Sequence, residues 1–94
     1  MKVALCQFSM EWEAAARNLR RAEELVAQAG ADLALLPEMF ATGFVTEPWR
    51  TALPDEEELL AWMRRTARRY ATALAGSAVV RSGDRFANRF FFVR

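Results

Sequence analysis

The sequence predicts an α/β chain with elements in the order β-α-β-loop-α-β-β. Short apolar runs at Val3–Phe8 and Asp32–Leu36 flank a stretch with helical spacing, which is the pattern of a βαβ unit. A second helical stretch opens at Asp55, behind a long irregular segment. Two more apolar runs, Leu74–Arg81 and Phe86–Val93, are joined through Ser82-Gly83-Asp84, and Gly with Asp suits a tight hairpin turn.

Each element has a local reason. Val3-Ala4-Leu5-Cys6-Gln7-Phe8 shows little polar alternation, as expected of a strand covered on both faces. From Trp12 to Ala29 the apolar residues Leu19, Ala22, Leu25, Val26 and Ala29 recur on one helical face, with Arg17, Arg20, Arg21, Glu23 and Glu24 elsewhere. Gly30 stands where a left-handed residue closes a helix. Asp32–Leu36 is the second strand, ended by Pro37, which has no N–H to give a ladder. A right-handed crossover between these two strands is expected. Met39–Leu53 has no sustained period and contains Gly43 and Pro48; loops of this length in compact domains are usually functional or disordered. Asp55 with Glu58 three residues on resembles a capping box, and Glu56 and Glu57 favour the helix dipole. Leu59, Trp62, Met63, Thr66 and Tyr70 form that helix's inward face, opposite a stripe of Arg64, Arg65, Arg68 and Arg69.

Composition narrows the function. Ninety-four residues make one domain at most, and 53% hydrophobic with 27% charged residues is the balance of a globular chain. Thirteen Lys and Arg against twelve Asp and Glu leave a net charge of +1, so the balance itself draws neither nucleic acid nor an anionic membrane. There is no histidine, which excludes a Ser-His-Asp or Cys-His arrangement within these residues. A single cysteine, Cys6, excludes an internal disulfide. No stretch reaches the roughly 18 apolar residues of a membrane span, and no secretory leader is recognisable; a cytoplasmic protein is expected. The apolar Phe90-Phe91-Phe92-Val93 run stops directly at Arg94 with nothing to cover its second face, an edge that invites association. It is read as belonging to a longer protein.

Glu38 is the leading candidate for chemistry. It lies just past a Pro-terminated strand, at the sheet edge where open α/β folds bind ligands. If partly buried there, its carboxyl group would be pushed up by desolvation toward general-base range. The alternative is a loop glutamate that reaches solvent or caps a neighbour. Phe40, Thr42, Gly43 and Phe44 follow it and are candidate substrate contacts; alternatively Phe40 and Phe44 anchor the loop in the core. Asn88 is expected to satisfy backbone groups near the hairpin. Cys6, among apolar neighbours, reads as a small hydrophobe, and Lys2 as a solvated strand-start residue.

The run Leu36-Pro37-Glu38-Met39-Phe40-Ala41-Thr42-Gly43-Phe44, after an apolar strand and a helix containing Asn18-Leu19-Arg20, resembles the first catalytic motif of the carbon–nitrogen hydrolase (nitrilase) superfamily. Val3–Gln7, Leu74-Ala75-Gly76-Ser77 and Asn88-Arg89-Phe90 resemble other strands of that family in order. Together with Trp12 and Trp62-Met63 the chain is most similar to the omega-amidase branch. The resemblance implies the N-terminal portion of an α-β-β-α sandwich, an amide substrate such as the omega-amide of a 2-oxo acid, and a homodimer. It also implies a Glu-Lys-Cys mechanism, in which only Glu38, as general base, maps onto these residues. No cofactor and no metal are implied. Two other readings stand beside it: a small non-catalytic α/β interaction module, and a nucleic-acid surface on the Arg64–Arg69 stripe.

Overall fold

The computed structural model of the chain describes residues 1–12, 14–43 and 55–94. Its elements are β1 (Val3–Leu5), α1 (Ala15–Ala29), β2 (Leu33–Leu35), α2 (Glu56–Tyr70), β3 (Ala73–Ser82) and β4 (Arg85–Val93). They form one mixed sheet in the order β1-β2-β3-β4. β1, β2 and β3 are parallel, with Val3 opposite Leu33 and Leu35 opposite Ala75. β4 returns antiparallel along β3 from Ser82–Arg85 to Leu74–Val93, through a two-residue turn in which Gly83 has φ 64°. No helix among the described residues is long and apolar enough to cross a membrane.

Helix α1 starts three residues later than the Trp12 expected from periodicity. The cause is Asn18, which is buried within the helix's apolar face. Its Oδ1 accepts the Glu11 N–H at 2.8 Å and its Nδ2 donates to the Glu11 carbonyl at 2.7 Å, folding the chain before Ala14 back on itself. Gly30 closes α1 in the left-handed conformation. At α2 the Asp55 side chain accepts the Glu57 N–H, and Glu56, Glu57 and Glu58 occupy the first turn while Arg68 and Arg69 occupy the last, the arrangement the helix dipole favours. Tyr70 donates its hydroxyl proton to Glu23 at 2.9 Å and so ties the two helices together.

One buried cluster holds the layers together: Ala22 and Val26 from α1, Leu59, Met63 and Ala67 from α2, and Ala34, Leu74, Ala78, Val80, Phe91 and Val93 from the sheet. Because side chains alternate across a strand, these residues define the helix-covered face. The other face carries Val3 and Leu5 of β1, Leu33 and Leu35 of β2, and Phe86, Phe90 and Phe92 of β4, with Ala73, Ala75, Ser77 and Val79 of β3 between them. It is uncovered: Leu5 and Phe90 are each 71% exposed and Phe92 is 57% exposed. The expectation that the first strand is covered on both faces is therefore corrected; its even position Ala4 packs on the core, whereas Val3 and Leu5 do not. The expectation of a bare second face on the last strand agrees with the structure.

Candidate active site

The site is built from the way β2 ends. Leu36 N–H still bonds the Ala75 carbonyl at 2.8 Å, extending the parallel pairing one residue past the strand. Pro37 has no N–H to continue it, and the chain turns. Glu38 follows, then Met39 in the left-handed conformation with φ 53°. The turn closes on itself through the Gly43 N–H, which bonds the Met39 carbonyl at 2.8 Å. Glu38 thus stands at the carboxyl ends of the parallel strands, the edge that forms ligand crevices in open sheets. It shares a cleft on the uncovered face with Leu35, Leu36, Ala75, Ser77, Asn88 and Phe90.

Three anchors fix the turn. The Phe40 ring is fully buried, 6.0 Å from the Trp62 ring. It fits because residue 76 is glycine: a Cβ there would lie 3.0 Å from Leu36 Cβ and 3.1 Å from the Phe40 ring. Asn18 Nδ2 donates to the Ala41 carbonyl at 2.8 Å. The third anchor is Ser77, whose carbonyl accepts the Phe40 N–H and whose hydroxyl accepts the Met39 N–H.

These contacts give two expected results. Gly76→Ala is expected to cost about 1–3 kcal/mol through overpacking, read as a lowered urea midpoint with unchanged slope; a neutral substitution would contradict the close approach of Phe40. Asn18→Leu removes a buried amide and takes away the partner of the Ala41 carbonyl and of the Glu11 N–H, while the Glu11 carbonyl keeps its bond from the Ala14 N–H, at a cost of about 2–4 kcal/mol. Thermal unfolding of Asn18→Leu beside Asn18→Asp tests this, and a stability equal to the parent would exclude the clamp.

The candidate residues fall into distinct places. Glu38 is exposed, so the partial burial expected of it is not found among the described residues. Phe40 and Thr42 have no exposed surface; Phe40 is a core side chain, and the Thr42 hydroxyl donates to the Gly43 carbonyl. Neither presents atoms to the cleft. Gly43 is buried beside Trp12. Phe44 and the remainder of the loop to Pro54 lie outside the described residues. Asn88, expected at the start of the last strand, sits within β4 opposite Val79 and is exposed on the cleft. Ser77 was not singled out by sequence reasoning as a site residue, although it is the one hydroxyl in the apolar run Leu74–Val80.

Cys6 and Lys2 do not join Glu38. Cys6 is buried in the helix-side core, where desolvation pushes its thiol up from its ordinary value, the opposite of an activated nucleophile. Lys2 pairs its backbone with Asp32 at the amino ends of the strands, the far edge from Glu38. On α2, Arg69 bonds Glu23, while Arg64 and Arg68 line a groove with Leu60 and Phe92.

A parallel βαβ unit with a carboxylate at the carboxyl ends of its strands is the kind of frame in which α/β folds hold ligands. Residues 2–94 match the carbon-nitrogen hydrolase family, and the chain belongs to it. It is 35% identical over 95 aligned residues to omega-amidase YafV of Yersinia enterocolitica, covering 100% of this chain and 37% of the relative. It is 31% identical to omega-amidase YafV of Escherichia coli, over 99% of this chain and 36% of the relative. The chain therefore spans little more than a third of these relatives' length.

Solved structures agree on the fold. A Xanthomonas campestris CN-hydrolase superfamily protein with an arsenic adduct in its active site superposes with a TM-score of 0.85 at 29% identity, over 99% of this chain and 36% of that one. A mutant amidase of the nitrilase superfamily from Nesterenkonia sp. AN1, bearing the product of Michael addition of acrylamide at its active-site cysteine, gives 0.78 at 26% identity, over 98% of this chain and 39% of that one. The fold is that of the nitrilase superfamily.

Proposed function

We propose that this chain is the glutamate-bearing part of an amidase that hydrolyses the omega-amide of a 2-oxo acid, with Glu38 as general base. The observation that carries the reading is the placement of Glu38 in a cleft at the carboxyl ends of the parallel strands. The omega-amidase names of its relatives and the active-site cysteine of the Nesterenkonia amidase support the substrate class and the nucleophile. In this reading the lysine and the nucleophilic cysteine come from sequence outside these 94 residues, since Lys2 and Cys6 are the only residues of their kinds here and both are misplaced.

The steps follow from the residue types. Glu38 takes the thiol proton, and the thiolate attacks the amide carbon while the lysine ammonium stabilises the oxyanion. The C–N bond breaks, ammonia leaves with the proton returned by Glu38, and a thioester remains. Water then loses a proton to Glu38 as it attacks the thioester, releasing the acid and restoring the thiol. A carboxylate does this best when water is excluded. Glu38 is open to solvent here, so the reading requires the Leu5, Phe90 and Phe92 face to be covered in the complete protein. A cytoplasmic homo-oligomer without a bound cofactor is part of the same proposal.

The assay is ammonia release from 2-oxoglutaramate by the full-length protein, with Glu38→Gln as the variant that decides it. Release unaffected by that substitution would overturn the role of Glu38. The nucleic-acid reading has less support, because Arg69 of the stripe is engaged by Glu23 and the acidic first turn of α2 lies on the same helix.

A further inference from the structure

We infer that Ser77 is a positioning residue for Glu38, acting through the backbone of the turn; this rests on the reading of Glu38 as the general base. The backbone around Glu38 is suspended between two points of β3. On one side Leu36 N–H bonds the Ala75 carbonyl at 2.8 Å. On the other, Met39 N–H bonds the Ser77 Oγ at 3.2 Å and Phe40 N–H bonds the Ser77 carbonyl at 3.3 Å. Pro37, between them, can donate nothing. The amide immediately after Glu38 is therefore held by a side chain, the only one of these contacts that a substitution can remove without touching the backbone.

The geometry at Met39 makes that contact matter. Met39 is a non-glycine residue at φ 53°, a conformation that persists only where surrounding contacts impose it. Without the Ser77 hydroxyl, its N–H loses its partner in the turn, and the residue is released toward ordinary φ values, carrying the Glu38 side chain with it. Ser77 itself is fixed in mid-sheet opposite Phe90 and lines the same cleft as Glu38. A misplacement of about 1 Å at a reacting group can cost on the order of a hundredfold in rate.

The test uses the full-length protein and amide hydrolysis of 2-oxoglutaramate, with Ser77→Ala, Ser77→Thr, Ser77→Cys and Glu38→Gln side by side. Ser77→Ala is expected to lower kcat by about ten- to hundredfold with KM changed less than twofold, and Ser77→Thr, which keeps the hydroxyl acceptor, to recover most of kcat. Ser77→Cys, a weak acceptor of nearly the same size, should behave like alanine, and it serves as the decisive variant should Ser77→Ala fail to fold. Faster hydrogen exchange at the Met39 amide in the alanine or cysteine variant is the readout that does not depend on turnover. Parent-like kcat in the alanine and cysteine variants, or an equal loss in threonine and alanine, overturns the inference. If Glu38→Gln abolishes turnover while Ser77→Ala does not lower it, Ser77 alone is refuted; if Glu38→Gln is fully active, the reading of the site falls and the inference with it.

Discussion

In the full-length amidase proposed above, Glu38→Gln is expected to leave the protein folded and to lower amide hydrolysis by roughly a hundred- to ten-thousand-fold, the usual contribution of a positioned general base. Glutamine keeps the size and hydrogen-bonding reach of the side chain but cannot accept a proton. Glu38 is exposed and, among the described residues, none of the turn's anchoring bonds runs through its side chain, so stability should change by no more than about 0.5 kcal/mol. The informative measurement is single-turnover acylation followed by intact mass. In the parent, a thioester adduct should appear with the release of ammonia. In the variant its formation should slow by the full factor, because the thiol proton has nowhere to go. An adduct forming at the parent rate would assign the base to another group.

Phe40→Ala should show the largest loss of stability in this part of the molecule, about 3–5 kcal/mol. The ring has no exposed surface and sits over Gly76 and beside Trp62, at the junction of the Glu38 turn, β3 and α2. Truncation removes its burial and leaves a cavity that Gly76, without a side chain, cannot fill. Since domains are stable by only about 5–15 kcal/mol in total, such a loss would be seen as a large fall in the urea midpoint. Phe40→Leu should cost clearly less, because most of the volume is kept. A change below about 1 kcal/mol for Phe40→Ala would mean the ring is not a core element, and Phe40 would return as a candidate pocket wall.

The two substitutions separate functions that the sequence places side by side. In Pro37-Glu38-Met39-Phe40 the carboxylate faces the cleft while the aromatic ring two residues on faces the core. The left-handed Met39 between them is what sends the two side chains to different sides of the turn. Sequence reading offered Phe40 either as a pocket residue or as an anchor and Thr42 as a pocket residue, and adjacency could not choose. The packing does, because both are without exposed surface.

Much of the architecture was legible because it is local. Period 3.6 marked α1 and α2, continuous apolar runs marked β1 to β4, and Gly83-Asp84 marked the hairpin; each depends on backbone preferences of neighbouring residues. The start of α1 was not legible, since it depends on Asn18 reaching back to Glu11 rather than on periodicity. An asparagine in register with Ala22 and Val26 was the available signal.

The sequence by itself determined the order of elements, the end of β2 at Pro37 and the carboxylate that follows it. Only the tertiary structure decided which face of the sheet is covered. In β3 both alternating sets, Leu74-Gly76-Ala78-Val80 and Ala73-Ala75-Ser77-Val79, are almost wholly apolar or small, so period 2 is silent on which packs against the helices. Pairing with β4 settles it by putting Phe91 and Val93 with the first set and Phe90 and Phe92 with the second. The pairing of β2 with β3 brings Ser77, and that of β3 with β4 brings Asn88, to Glu38 from positions 39 and 50 residues away in the chain. No local preference encodes that meeting, because it arises from strand register, which is fixed by long-range packing of one face.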